Sequence, residues 1–138
     1  MSEEIESYLE EIENYMSSPV LCVDWESNAQ DAAVEMHAMN VGALLVKKGD
    51  DYIGIISESD FTRKVVAAGL NAERTKVTDI MTSPILSMES CTLVEDAENF
   101  MCRNKIRHMG VTEADRIVGM LSVKDLVSCY SQSFRMTE

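Results

Sequence analysis

The chain has 138 residues, 46% of them apolar, and a formal net charge of −12. That length and composition suit one compact protein with a proper core and exclude a disordered chain, while the charge opposes a nucleic-acid partner, whose phosphates an acidic surface repels. No apolar run is long enough to cross a membrane, and the acidic start Met1-Ser2-Glu3-Glu4-Ile5-Glu6 lacks the basic and apolar regions of a signal peptide, so a soluble, cytoplasmic protein is expected.

Residues 1–15 read as an amphipathic helix. Ile5, Tyr8, Leu9, Ile12 and Tyr15 share one face, and glutamates fill the other. From Met16 onward the chain repeats itself. Met16-Ser17-Ser18-Pro19 returns as Met81-Thr82-Ser83-Pro84, an offset of 65 residues. The same offset carries Asp31 to Asp96, Met36 to Met101, Gly54 to Gly119, Ser57 to Ser122 and Asp60 to Asp125. A gap-free register of that length marks an internal duplication. It divides the chain into a first repeat over 16–68, a linker over 69–80, a second repeat over 81–130 and a polar tail over 131–138.

Each repeat predicts strand–helix–strand–strand–helix, an α/β (α+β) unit. The first strands are expected over Val20 to Val23 and Ile85 to Met88, after the prolines. Ser27-Asn28-Ala29-Gln30 and Thr92-Leu93-Val94-Glu95 fit the capping box, with Ser27 and Thr92 as caps. The helices that follow carry the stripes Ala29, Ala32, Ala33, Met36 and Val94, Ala97, Phe100, Met101, read as core. Hairpins are expected through Lys48-Gly49-Asp50-Asp51 and Glu113-Ala114-Asp115-Arg116. The last strand of each repeat turns directly into a helix, at Gly54-Ile55-Ile56-Ser57-Glu58-Ser59-Asp60 and at Gly119-Met120-Leu121-Ser122-Val123-Lys124-Asp125. The cysteines, Cys22, Cys91, Cys102 and Cys129, form no C-x-x-C pair and no cluster with His37 or His108. No metal site is expected, and the thiols read as small core residues.

The Ser-Pro lead-ins, the internal hairpins and the duplicated Gly-x-x-Ser-x-x-Asp turn resemble a tandem pair of CBS domains, a Bateman module, over residues 16–130. Phe61-Thr62-Arg63-Lys64-Val65-Val66, Asp79-Ile80-Met81-Thr82 and Lys105-Ile106-Arg107-His108-Met109 are similar to stand-alone bacterial or archaeal members. The resemblance implies two repeats related by a pseudo-twofold axis, a homodimer, no catalytic residues, no required cofactor, and an adenosine-containing regulatory ligand (AMP, ADP, ATP or NAD(H)) in the cleft between the repeats.

The residues themselves point to the same chemistry. Ser57, Ser59 and Ser122 supply hydroxyls at a helix start, where backbone N–H groups favour phosphate or sugar oxygens. Asp60 and Asp125 can accept from a pair of ribose hydroxyls, the role an acidic residue has in dinucleotide folds. The resemblance implies one site from Ser57, Ser59, Asp60 and Arg63 with Thr82, Ser83, Ile85, Arg107, His108 and Met109. It implies a second from Ser122, Lys124 and Asp125 with Ser18, Val20, Gly42, Ala43 and Leu44. Arg107 and His108 make the first the better phosphate binder, whereas Arg103 and Lys105 read as solvated helix surface. The competing function is a structural dimerisation module with no ligand in the cleft. An enzyme is not expected, since the chain has two histidines, no nucleophile elbow and no Walker-type loop.

Overall fold

The computed structural model describes residues 10–127. They belong to two compact units, one comprising Val20–Ile85 and the other combining 10–19 with 86–127. The first-repeat unit contains β1 (Cys22–Asp24), α1 (Ala29–Met39), β2 (Ala43–Lys48), β3 (Asp51–Ser57), α2 (Glu58–Asp60) running on into a π-helical stretch over Phe61–Val66, and α3 (Val77–Ile80). The second-repeat unit contains a 3₁₀ turn over Ile12–Asn14, β4 (Ser87–Glu89), α4 (Val94–Asn104), β5 (His108–Glu113), β6 (Arg116–Ser122) and a helical segment over 123–127.

The two sheets share one topology. β1 lies parallel to β2, and β2 lies antiparallel to β3; β4, β5 and β6 repeat this. Val46 pairs with Gly54 and Val111 with Gly119, so both glycines hold the same topological place. A register irregularity follows each of those valines, at Val46/Lys47 and at Val111/Thr112. The expected hairpins are therefore present in both copies. Their turns differ. The first uses Gly49 at φ +62°, whereas the second holds Ala114 at +50° and Asp115 at +63°. An L-residue in that left-handed region costs roughly 1–2 kcal/mol, and glycine's larger unfolded-state freedom offsets roughly 0.5–1 kcal/mol of the relief. Ala114→Gly should therefore stabilise the protein by about 0.5–1 kcal/mol. Urea unfolding measures this, and a destabilised variant would contradict the strain argument.

The duplication extends further upstream than the Ser-Pro motifs. Ile12 N–H donates to Thr92 O at 2.9 Å, as Val77 N–H does to Ser27 O at 3.0 Å. Val94 N–H donates to Glu10 O at 2.9 Å, as Ala29 N–H does to Thr75 O at 2.7 Å. Ser17 pairs with Met120 on β6, as Thr82 pairs with Ile55 on β3. Residues 10–16 are thus the counterpart of 75–81. The stretch expected to be an N-terminal helix is, over its described residues 10–15, a bridge at Glu11 followed by one 3₁₀ turn; residues 1–9 lie outside the described residues. Part of the expected linker is likewise folded, as α3. Each lead-in joins the unit built on the other repeat's sheet, because its backbone completes the open edge beside β3 or β6.

This arrangement corrects the helix caps. Asn28, not Ser27, caps α1, its side-chain oxygen accepting from Asp31 N–H at 2.8 Å. Leu93 stands at the α4 cap with no side-chain bond. The first N–H of that helix is satisfied by the Glu10 carbonyl instead, so no hydroxyl is needed. The stripes do face the core. Ala29, Ala32, Val46, Ile56, Val65, Val77 and Ile80 form one cluster, and Ile12, Val94, Ala97, Met101, Met109, Val111, Leu121 and Leu126 the other. Ile12 and Val77 are fully buried, and anchoring each lead-in this way is worth about 1.5–3 kcal/mol. The described cysteines are not core residues: Cys22, Cys91 and Cys102 are exposed. Cys22 takes an outward position on β1, Cys91 sits in the turn before α4, and Cys102 lies on the polar side of α4. Cys129 and the tail over 131–138 lie outside the described residues.

Candidate functional site

The Gly-to-Asp turns are built by three backbone elements in each unit. In the first-repeat unit, Ser57 ends β3 opposite Ala43 at the start of β2. The next residue, Glu58, donates its N–H to Gly42 O at 3.1 Å. The lead-in of the second repeat lies along the other edge of β3, with reciprocal bonds between Ile55 and Thr82 at 3.0 and 2.8 Å. In the second-repeat unit, Ser122 faces His108, Val123 N–H donates to Arg107 O at 3.0 Å, and Ser17 flanks Met120. Ser18 Oγ donates to Val118 O at 3.1 Å there. Both Ser-Pro bonds, Ser18–Pro19 and Ser83–Pro84, are cis.

Inside each turn the aspartate closes back on the serine. Asp60 Oδ2 accepts from Ser57 N–H at 2.9 Å and from Ser57 Oγ at 3.3 Å, and the Ser57 and Ser59 hydroxyls are 3.0 Å apart. Asp125 Oδ2 accepts from Ser122 N–H at 2.8 Å, and Ser122 Oγ accepts from Asp125 N–H at 3.2 Å. These bonds hold each carboxylate at a fixed place beside the strand end. An anionic acceptor that is already oriented loses little freedom when it takes a further hydroxyl.

The structure groups the predicted residues by unit. Ser57, Ser59, Asp60 and Arg63 share a unit with Thr82, Ser83 and Ile85, and also with Val20, Gly42, Ala43 and Leu44. Arg107, His108 and Met109 share the other with Ser18, Ser122, Lys124 and Asp125. The neighbours that the backbone brings to Ser57 are therefore Gly42 and Ala43, and those brought to Ser122 are Arg107 and His108. Leu44 and Met109 are fully buried beneath these turns, while Arg63, Arg107 and Lys124 are exposed. Lys64 carries a contact that the sequence reading passed over. Its Nζ pairs with Asp60 Oδ1 at 3.0 Å and donates to Ile80 O at 2.9 Å. The (i, i+4) spacing of Asp60 and Lys64 was the available signal. An open groove of about 740 Å³ runs along α4 past Met88, Leu93 and Arg103, and none of the predicted residues lines it.

Similarity to known proteins follows the two repeats, each with its own lead-in. The CBS domain family matches twice, over residues 10–67 and 77–132. The chain belongs to the CBS domain family. It is 36% identical over 107 residues to the mitochondrial CBS domain-containing protein CBSX3 of Arabidopsis thaliana, covering 74% of this chain and 52% of that protein. It is 26% identical over 115 residues to the CBS domain-containing protein YhcV of Bacillus subtilis, covering 83% and 81%. Among solved structures, an uncharacterized conserved protein from Pyrococcus horikoshii superposes with a TM-score of 0.85 at 27% identity, covering 89% of this chain and 93% of that one. The chain spans about half the length of the first curated relatives it matches, CBSX3 among them. Two tandem CBS repeats, each with its own three-stranded sheet, thus account for the fold. CBS pairs are generally regulatory, ligand-binding modules, and proteins made of CBS domains alone are generally not enzymes. Among the described residues no helix is long and apolar enough to cross a membrane, and no group of three or more His, Cys, Asp or Glu side chains is arranged to hold a metal ion.

Proposed function

We propose that this CBS pair is a regulatory module that binds an adenosine-containing ligand (AMP, ADP, ATP or NAD(H)) at its Ser/Asp turns and signals by a change of conformation. The observation that carries this reading is the turn itself, built twice with an aspartate locked by its own serine beside a strand end. A carboxylate with spare lone pairs suits a vicinal diol, and neighbouring serine hydroxyls supply donors of the kind a ribose or phosphate needs. Each turn is flanked by the lead-in of the other repeat, so an occupied turn bears on backbone from both repeats. A ligand that prefers one arrangement of that backbone shifts the population toward it.

Thermal melting with AMP, ADP, ATP and NADH tests the proposal. A ligand at a hundred times its dissociation constant adds roughly 2.7 kcal/mol of stability, a readily measured upward shift. If none of the four moves the transition, the alternative of a structural module with an empty site replaces it.

A homodimer is part of the same proposal. Val66, at the end of the π-helical stretch, and Leu70, just beyond the turn at Gly69, are 76% and 52% exposed, an apolar pair that a partner subunit can cover. Sedimentation at micromolar protein should report a dimer, and a monomer would count against it. Three free surface thiols, Cys22, Cys91 and Cys102, suit a reducing compartment such as the cytoplasm.

A further inference from the structure

Lys64 joins two parts of the first-repeat unit that lie far apart in the chain. Its Nζ pairs with Asp60 Oδ1 at 3.0 Å and donates to Ile80 O at 2.9 Å. Asp60 belongs to the Ser/Asp turn, where Oδ2 already accepts from Ser57 N–H and Oγ. Ile80 is the last residue of α3. The chain then runs extended through Met81 into Thr82, which is bonded twice to Ile55 on β3. The last carbonyls of a helix find no partner within it, and a cation beside them is favourable. The Ile80 carbonyl meets that cation in Lys64. Val77 and Ile80 are buried in the core, so burial fixes where α3 lies. The lysine governs something narrower: how firmly the final turn of α3 is closed, at the point where the lead-in starts toward the second repeat.

We propose that Lys64 is a strap that transmits the state of the Ser57–Asp60 turn to the lead-in of the second repeat. Both of its contacts draw on one ammonium, held on a flexible four-carbon stem. The Asp60 side chain is 10% exposed and that of Lys64 43%, so the aspartate end of the strap is fixed and the lysine end is free to swing outward. A hydroxyl that donates to Asp60 shares the carboxylate's lone pairs with the ammonium and weakens the pair. The lysine is then no longer anchored over the Ile80 carbonyl, and the last turn of α3 opens more often. Two sites whose states bear on one shared contact are coupled, and the coupling runs in both directions. The transmitting role rests on the ligand reading above; the strap itself does not.

Hydrogen exchange of the Met81 amide in the full chain decides it, because that N–H donates to Val77 O at 2.9 Å and closes the turn. Without ligand, Lys64→Met should exchange there roughly two- to tenfold faster than the parent, the range for one lost hydrogen bond. Saturating AMP should speed Met81 exchange in the parent by a similar factor and leave Lys64→Met unchanged, while calorimetry shows that both bind. The sign is diagnostic, since a ligand that merely shielded the lead-in would slow exchange. Lys64→Gln, the milder substitution, should lose the AMP response too if Lys64→Met fails to fold. Parent and Lys64→Met exchanging alike without ligand would remove the strap. Exchange slowed or unmoved by bound AMP in the parent would overturn transmission and leave the ligand reading standing. A lysine that only stabilises the helix would give a lower melting temperature in Lys64→Met with the same AMP response as the parent, which also overturns it. If AMP, ADP, ATP and NADH all fail to bind the parent, the ligand reading fails and transmission with it.

Discussion

Gly54→Ala is expected to lower the unfolding free energy by about 1–3 kcal/mol, the range for a side-chain atom forced into a packed site. A Cβ at Gly54 would press on the Met81 thioether and lie 3.1 Å from the Thr82 carbonyl oxygen. Methionine is flexible and can yield. The carbonyl cannot, because Thr82 is tied to Ile55 by two backbone hydrogen bonds. The same substitution at Gly119 meets Met16 and the Ser17 carbonyl at 3.0 Å, so the second repeat should show a similar loss. Glycine is thus required here by close approach of the lead-in, not by backbone angle; neither residue has a positive φ. The entropy that alanine removes from the unfolded chain, about 0.4–1 kcal/mol, offsets part of the cost. A double variant, Gly54→Ala with Met81→Ala, should be less destabilised than the sum of its parts, because the second change clears one of the two obstacles. Denaturant midpoints read both effects. A Gly54→Ala variant as stable as the parent would mean that the lead-in does not pass so close to β3.

A residue is legible in the sequence only as far as its type reveals its partners. The duplication was legible because Asp31, Gly54, Ser57 and Asp60 each recur at one offset without a gap. The hairpins were legible because apolar β2 and β3 flank a Gly49 turn. The match between 10–16 and 75–81 was not. Its hydrogen bonds run through backbone groups, which impose no residue type, so Glu10 and Thr75 do the same work with unlike side chains. For the same reason Thr92 looked like a cap, although the Glu10 carbonyl fills that position. The assignment of Arg107 and His108 to a shared site with Asp60 came from resemblance; within their own unit the backbone seats them beside Ser122 and Val123. Residue type misled for the cysteines, since a small apolar side chain fits a core but Cys22 falls on the outward phase of a strand.

Asp125→Asn should weaken binding of adenosine about ten- to a hundredfold. The substitution separates ligand from fold. An asparagine oxygen can still accept the Ser122 N–H now held at 2.8 Å, and Ser122 Oγ can still accept from the residue-125 N–H, so the turn persists. What is lost is the negative charge and the second acceptor oxygen, which an NH2 donor replaces. Hydrogen bonds to charged groups are worth roughly 1.5–3 kcal/mol, about twice neutral ones, which sets the expected loss of affinity. Asp125→Ala, by contrast, removes the acceptor of the Ser122 N–H as well. That unsatisfied donor should cost about 1–3 kcal/mol of stability, so its binding defect mixes two causes. Calorimetry on Asp125→Asn, with melting on both variants, gives the result cleanly. If Asp125→Asn binds adenosine as the parent does while melting normally, the carboxylate is a turn-closing group alone, and the diol reading of the second repeat fails.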